Sequence, residues 1–144
     1  MKFYHSSQLS DVIWEHGPAG MRCVELNTGM EKYLAEKPYT VSYRDLMGVE
    51  KKDVGKIDRI VMNPPFTRRQ DIDHALHAYD LLDDGGILVA IMCESTFFRT
   101  DKKSVDFRAF LDGANAQTVK LEPGAFRESG TDVAARIVKI RKPV

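Results

Sequence analysis

The sequence predicts an α/β fold, in which helices cover both faces of a mostly parallel β-sheet. Short apolar runs alternate along the chain with segments that carry apolar residues at helical spacing. The run ILVAIMC at 87–93 is apolar throughout, as expected for a strand that is buried on both faces. Two strand-like runs follow one another near the C-terminus, and they predict a closing antiparallel hairpin.

The first half of the chain alternates helix and strand. A serine begins and a glycine ends the segment 7–17, which predicts a helix, and a second helix is predicted at 28–37. Between them, 21–26 is a short apolar run that ends in an acid. The segment 39–43 is rich in β-branched and aromatic residues. Both of these runs predict strands.

The second half continues this alternation after 44–56, where the sequence predicts a loop that can include one helical turn. Apolar residues share one face of the segment 72–82, which predicts an amphipathic helix. A further helix is predicted at 104–113. The runs that predict strands are 58–62, 87–93, 116–122 and 133–142.

Length and composition restrict the class of protein. The chain has 144 residues, which predicts a single domain over 1–144, and 43% of them are hydrophobic. Lys plus Arg and Asp plus Glu number 21 each, so the formal net charge is zero. This balance argues against a strongly cationic nucleic-acid binder but leaves a local basic patch open. The sequence has no membrane-length apolar run and no evident signal peptide, so a cytoplasmic protein without a membrane partner is expected.

The cysteines and histidines predict neither a disulfide nor a metal site. Cys23 and Cys93 each lie in an apolar run, which favours reduced core thiols. His74 and His77 share one helical face, but two ligands do not make a structural zinc site. These histidines are interpreted as ordinary surface or boundary residues.

Polar residues at two strand ends are candidates for ligand binding, because ligands in such sheets lie beyond the carboxyl ends of the strands. Glu25 and Leu26 end the first strand, and a carboxylate there suits the hydroxyls of a ribose. A surface acid near a helix N-terminus is an equally good interpretation. Asp45 and Leu46 follow the second strand. Asp45 is suited to accept a hydrogen bond from an adenine amine, although a turn-initiating Asp is the favoured interpretation.

The sequence Asn63-Pro64-Pro65-Phe66 follows a third strand and predicts more particular chemistry. The amine of adenine is a poor nucleophile, because its lone pair is delocalised into the ring. Acceptors at the Asn63 side-chain oxygen and the Pro64 carbonyl would free that lone pair, and the prolines would hold them in place. Phe66 offers a flat face for stacking a base. The alternative is a rigid turn with a buried phenylalanine, and the position after an apolar strand favours the functional interpretation.

The segment DRIVMNPPF at 58–66 resembles the catalytic motif of class I S-adenosylmethionine-dependent methyltransferases that act on planar amino groups. The resemblance is strongest to the N6-adenine-specific DNA methylases, and it covers roughly 8–142. VELN at 24–27 resembles the strand whose acid binds the cofactor ribose, and RDLM at 44–47 resembles the motif that contacts the cofactor adenine. The segment 77–99 resembles the helix, Gly-Gly turn and strand that follow the catalytic motif.

This resemblance implies a Rossmann-like methyltransferase fold and S-adenosylmethionine as the cofactor. The residues implied to bind the cofactor are Glu25, Leu26, Asp45 and Leu46. The residues implied in catalysis are Asn63, Pro64, Pro65 and Phe66. N6 of adenine in DNA is the implied substrate, and guanine in RNA and glutamine in protein are the alternatives, because methylases of both kinds resemble the motif.

The N-terminus departs from the family pattern. In the family, a central first strand ends in a Gly-rich loop that approaches the cofactor, whereas here no glycine precedes Gly17. The resemblance therefore implies a truncated or missing first strand and a gap in the sheet. The segment 2–5 is a candidate substitute strand. Otherwise a second copy of the chain, a partner subunit or an omitted segment is expected to fill the gap, because exposed central edges aggregate.

Three hypotheses follow from this departure. The chain is an active methyltransferase with an abbreviated cofactor loop, a truncated or degenerate methylase that does not catalyse, or a nucleic-acid-binding module. DNA is the expected partner in the first and third cases. The cations expected near the carboxyl edge of the sheet are Arg68, Arg69, Arg99 and Lys102. Phosphate contacts and a solvated basic rim explain these four residues equally well.

Overall fold

The computed structural model describes residues 7–125 and 133–144, and its elements alternate between helix and strand. The strands are β1 Arg22–Glu25, β2 Thr40–Tyr43, β3 Arg59–Met62, β4 Ile87–Cys93, β5 Gln117–Lys120 and β6 Ala135–Arg141. The α-helices are α1 Ser7–Glu15, α2 Glu31–Leu34, α3 Lys51–Val54, α4 Gln70–Leu81 and α5 Lys102–Gly113. The 3-10 turns are Thr28–Met30, Leu46–Gly48, Thr67–Arg69 and Glu94–Phe97.

The β-sheet combines parallel pairs with an antiparallel C-terminal part, which confirms the predicted fold class. β1 pairs with β2 in parallel, and β3 pairs with β4 in parallel. β6 runs antiparallel to both β4 and β5, so the four-stranded part has the order β3-β4-β6-β5. The last strands therefore close the sheet as the sequence predicts.

The sheet is interrupted between β1 and β3. Within the described residues, β1 pairs only with β2, and β3 pairs only with β4. The two parts nevertheless share cores, because Val24 of β1 packs in the same apolar cluster as Ile60 of β3. On the opposite face, Val61 packs against the cluster that contains Cys23. The substitute strand proposed for 2–5 lies outside the described residues.

Helices lie on both faces of this interrupted sheet. Leu9 and Ile13 of α1 pack against a small cluster around Cys23 and Tyr39, and the Tyr39 hydroxyl is 2.8 Å from Ser10 Oγ. α4 and α5 cover the other face, where the fully buried side chains are largest. Phe107 of α5 belongs to this larger core. Burial of such a ring stabilises a fold by roughly 3 kcal/mol.

The prediction of a strand buried on both faces is only half correct for β4. Its residues alternate between fully buried and half-buried positions. Leu88, Ala90 and Met92 point into the core under α4 and α5. The alternate positions lie on the opposite face, where the packed cluster draws its residues from α1, α2 and the first three strands. The apolar run therefore identified the strand correctly, but it predicted full burial of a second face that is only half-buried.

The helix predicted at 28–37 is wrong in length. A 3-10 turn, Thr28–Met30, precedes a single α-helical turn that ends at Leu34. Asn27 caps the 3-10 turn, because its side-chain oxygen accepts the N–H of Gly29 at 2.9 Å. Pro38 disfavours helical geometry at the residue before it, so the segment cannot extend as predicted.

The two longest helices have 12 residues each. α4 begins at Gln70, two residues before the predicted start, and α5 begins after Asp101, whose carboxylate accepts the N–H of Ser104 at 3.1 Å. Across the described ranges, no helix combines the length and the hydrophobicity that a bilayer crossing needs.

Candidate functional site

A cleft of about 110 Å³ opens at the carboxyl ends of β1, β2 and β3. It lies at the interruption of the sheet, because its walls come from strands on both sides of the gap. The predicted site residues that line it are Leu26, Asp45, Leu46, Asn63, Pro64 and Pro65. The structure therefore brings together in one cavity residues from three separate segments of the chain.

The segment after β3 forms one wall of the cleft. β3 ends at Met62, and the two prolines that follow have no N–H with which to extend the ladder. Pro64 is buried, whereas Asn63 and Pro65 are half-buried and border the cavity. Phe66 is half-buried but does not line the cleft. Asn63 therefore borders the cavity, and Phe66 lies outside its wall.

The end of β1 contributes an exposed leucine and a buried acid. Leu26 is 58% exposed and borders the cleft, whereas Glu25 is only 4% exposed and is not part of the cavity wall. Glu25 Oε1 accepts the N–H of Asn27 at 2.8 Å, which stabilises the turn after the strand. Glu25 therefore has a structural role in addition to any role in ligand binding.

Asp45 combines a turn role with a place on the cleft. Its Oδ1 accepts the N–H of Met47 at 2.9 Å and caps the 3-10 turn, as the favoured sequence interpretation predicts. Its other oxygen, Oδ2, forms no hydrogen bond within the described residues. Asp45 is exposed, and it lines the cavity together with the buried Leu46. The carboxylate therefore caps the turn through Oδ1, and the residue borders the cavity.

Sequence reasoning missed several residues of the cleft. They are Val24, Arg44, Met62, Gln70 and His74. Gln70 and His74 lie one turn apart on α4, and their spacing on a helix that begins just after the proline motif is the signal that could have found them. His74 is half-buried on the cavity wall, so its interpretation as an ordinary boundary residue was incomplete.

Three of the four predicted phosphate-binding cations are paired with carboxylates. Arg69 Nη1 lies 2.8 Å from Asp101 Oδ2, and Arg99 Nε lies 3.5 Å from the same oxygen. Lys102 pairs with an aspartate one turn further along α5. Arg68 is exposed and forms no ion pair within residues 7–125 and 133–144. Because Arg69 and Arg99 share Asp101, two carboxylates offset half of the positive charge of these four residues.

Neither thiol is paired, and no cation site is formed among the described residues. Cys23 and Cys93 are free thiols. Burial, together with the charge of Glu25, raises the pKa of the Cys23 thiol to about 12. In the part of the chain that the structure describes, no three His, Cys, Asp or Glu side chains converge as a metal site requires. The polar residues that line the cleft are Arg44, Asp45, Asn63, Gln70 and His74, so its walls hold both hydrogen-bond donors and acceptors.

Comparison of the fold with solved structures finds methyltransferases, although the sequence matches no protein-family model and no curated protein. A putative class I S-adenosylmethionine-dependent methyltransferase (lmo1582) from Listeria monocytogenes has a TM-score of 0.69 at 11% identity, over 99% of this chain and 53% of that one. The N-methyltransferase NodS from Bradyrhizobium japonicum WM9 has a TM-score of 0.64 at 12% identity, over 99% of this chain and 84% of that one.

A third similar structure is the M protein of the type I restriction enzyme EcoKI. Its TM-score is 0.66 at 16% identity, over 96% of this chain but only 34% of the M protein. Identities this low establish the fold alone. The chain therefore has the Rossmann-like fold of class I S-adenosylmethionine-dependent methyltransferases, as the sequence predicts.

Proposed function

We propose that this chain is an S-adenosylmethionine-dependent methyltransferase that acts on a planar amino group, with N6 of adenine in DNA as the preferred substrate. One observation carries the proposal. Asp45 and the segment from Asn63 to Pro65 line the same cleft, although Asp45 and Asn63 are 18 positions apart in the sequence. The proposed acceptor for the cofactor's adenine and the proposed acceptors for the substrate amine therefore border one cleft.

The cleft suits the adenosine part of the cofactor. Leu26 and Leu46 supply apolar surface for a flat base, and Asp45 Oδ2 is an acceptor for its exocyclic amine. Glu25, which precedes Leu26 and is 4% exposed, is the proposed ribose contact. The bound cofactor supplies an electrophilic methyl group on a sulfonium. The residues of the chain hold and orient both reactants.

Asn63 and Pro64 are the proposed catalytic residues. The Asn63 side-chain oxygen and the Pro64 carbonyl accept the two hydrogens of the substrate amine, which directs its lone pair away from the ring. The two prolines restrict the backbone, so the acceptors require little reorganisation during the reaction. Phe66 stacks against the substrate base, and a base within a duplex has to be flipped out to reach it.

Two observations bear on DNA as the substrate. The likeness to the EcoKI M protein, a subunit of a restriction enzyme, supports it. The pairing of Arg69, Arg99 and Lys102 with carboxylates argues for weak phosphate contacts, with Arg68 as the principal one. Single-stranded DNA is therefore the first substrate to test, because it needs no base flipping and fewer backbone contacts. Adenine-free DNA, RNA and a glutamine peptide are the comparison substrates.

The interrupted sheet favours a second candidate function, a folded methylase that does not catalyse by itself. β1 and β3 each have one edge without a ladder partner among the described residues. Unpaired strand edges recruit other strands. We propose that a strand of a second copy or of a partner subunit pairs with these edges and completes the floor of the cleft.

The decisive experiment is calorimetric titration of the chain with S-adenosylmethionine and S-adenosylhomocysteine, followed by transfer of a labelled methyl group to adenine-containing DNA. We expect micromolar binding and adenine-dependent transfer. Asn63→Ala should lower turnover by about 100-fold or more while changing affinity for S-adenosylhomocysteine by less than about threefold. Gln117→Ala, on an exposed edge strand, is the control and should match wild type.

Other outcomes separate the candidates. A folded sample that binds no cofactor supports the non-catalytic candidate, and light scattering with and without partner extract then tests for assembly. Wild-type turnover in Asn63→Ala would refute the assignment of the motif. DNA binding with a steep salt dependence and no cofactor dependence would instead identify a nucleic-acid-binding module.

A further inference from the structure

Asp71 is a fully buried acid that the cleft does not use. It lies in the first turn of α4 and is 0% exposed. Its Oδ2 accepts the N–H of Cys93 at 2.9 Å, and its Oδ1 is buried without a hydrogen-bond partner in the described residues. Burial raises the pKa of this carboxyl, although backbone N–H groups oppose the shift. Burying a carboxylate costs several kcal/mol, so stability alone does not account for an acid here.

The bond from Cys93 to Asp71 anchors one end of the segment that contains the proline motif. The segment 63–69 joins β3 to α4. At its first end, the β3–β4 ladder runs as far as Met62, which lies opposite Ala90 of β4. At its second end, Asp71 connects the start of α4 to Cys93, the last residue of the same strand. Both ends of the segment are therefore fixed to β4.

The backbone within this segment is strained and requires such anchoring. Arg68 and Arg69 both have positive φ angles, 54° and 57°. For residues other than glycine, this conformation costs roughly 1–2 kcal/mol each. Arg69 is also the N-cap of α4 and forms no capping bond through its side chain. Asp71, two residues further on, ties this turn to β4 through the N–H of Cys93.

A further ion pair holds the same strained turn from outside. Arg69 Nη1 lies 2.8 Å from Asp101 Oδ2, at the N-cap of α5. Arg69 Nε is buried and has no hydrogen-bond partner among the described residues. The turn is thus fixed from the interior by Asp71 and from the surface by Asp101. Strain persists only where the surrounding structure determines the conformation in this way.

We infer that Asp71 is a positioning residue, which ties the start of α4 to the end of β4 and so holds the Asn63 and Pro64 oxygens in place to receive an amino group. The catalytic part of this inference rests on the proposed function. The anchoring part rests only on the geometry of segment 63–69. Asp71 does not touch the cleft, and it acts through the backbone that follows Phe66.

The test compares Asp71→Ala and Asp71→Asn with a matched destabilised variant. Asp71→Ala removes the acceptor for Cys93, whereas Asp71→Asn retains a side-chain oxygen. Val138→Ala, in the buried core of β6 opposite Ala90, lowers stability without removing the bond from Cys93 to Asp71. Hydrogen exchange of segment 63–69 and methyl transfer to single-stranded DNA are measured for all three, well below their melting temperatures.

We expect Asp71→Ala to accelerate exchange in segment 63–69 by about tenfold or more and to lower kcat by about 100-fold, with little change in KM. Asp71→Asn should restore most of both properties, and Val138→Ala should resemble wild type in this segment. Unchanged exchange in Asp71→Ala would overturn the inference, whether or not the wild-type chain transfers methyl groups. Raised exchange with wild-type kcat would overturn its catalytic part. An inactive wild type with raised exchange in Asp71→Ala would refute the proposed function and support the anchoring.

Discussion

Asp45 is the residue at which a turn role and a ligand-binding role can be separated by a single substitution. Oδ1 holds the N–H of Met47 at 2.9 Å, and the carboxylate also lines the cleft. Asp45→Asn keeps an oxygen for the turn, because asparagine caps as well as aspartate does. It replaces the second oxygen with an amide N–H₂, which donates and cannot accept from an adenine amine.

The expected magnitudes follow from these two bonds. Asp45→Asn should leave stability nearly unchanged. Asp45→Ala removes the cap, which costs about 1 kcal/mol, and this lowers the melting temperature of a domain of this size by about 3 °C. Both variants lose the proposed hydrogen bond from the cofactor's adenine amine to the charged Asp45 carboxylate, and such a bond is worth about 1.5–3 kcal/mol. The affinity for S-adenosylhomocysteine should therefore fall by about 10- to 150-fold.

Thermal unfolding and calorimetric titration with S-adenosylhomocysteine measure the two quantities on the same samples. Asp58→Asn is the matched control, because the Asp58 side chain is 83% exposed and lies outside the cleft. We expect that control to retain wild-type stability and affinity. If Asp45→Asn keeps the wild-type affinity, Asp45 serves the turn alone and the adenine contact is wrong. If Asp45→Asn is as unstable as Asp45→Ala, the account of the cap is wrong.

The remaining predictions concern stability and thiol reactivity. Glu94 accepts two bonds from Arg136, at 2.7 and 3.0 Å, so Glu94→Ala leaves a half-buried guanidinium unpaired. It should lower the free energy of unfolding by about 3 kcal/mol and the melting temperature by about 10 °C, whereas Asp106→Ala at an exposed pair should cost less than about 1 kcal/mol. Because the pKa of the Cys23 thiol is raised to about 12, its alkylation in the folded protein should stay slow from about pH 7 to about pH 10, as followed by peptide mass spectrometry. A labelling rate that levels off near pH 9, as it does for a thiol with the ordinary pKa of 9.0, would contradict the burial of Cys23 beside Glu25.

The sequence predicted the nature of most elements, because the signals for them are local. The period of apolar residues identified α4, and the apolar run at 87–93 identified β4. Errors arose where a neighbouring side chain or proline altered a local preference. Asn27 and Pro38 together reduced the helix predicted at 28–37 to a 3-10 turn and one α-helical turn.

Much of the candidate site was also predictable, since acceptors at the ends of parallel strands meet at one edge of a sheet. Asp45 and Asn63 were selected on that basis, and both line the cleft. Gln70 and His74 were missed, because a helix that starts after the proline motif contributes to the cleft only through its orientation. Phe66 and Glu25 lie outside the cavity wall. The sequence pattern alone does not determine whether a side chain points toward the cleft or away from it.

By itself, the sequence determined the order of helices and strands, the proline stop after β3, and the acids at the carboxyl ends of β1 and β2. These features depend on backbone preferences and on bonds between residues a few positions apart. Only the tertiary structure decided that Asp101 neutralises Arg69 and that Asp71 is buried against Cys93. Those contacts join residues 22 or more positions apart, and they form only when α4, β4 and α5 pack together.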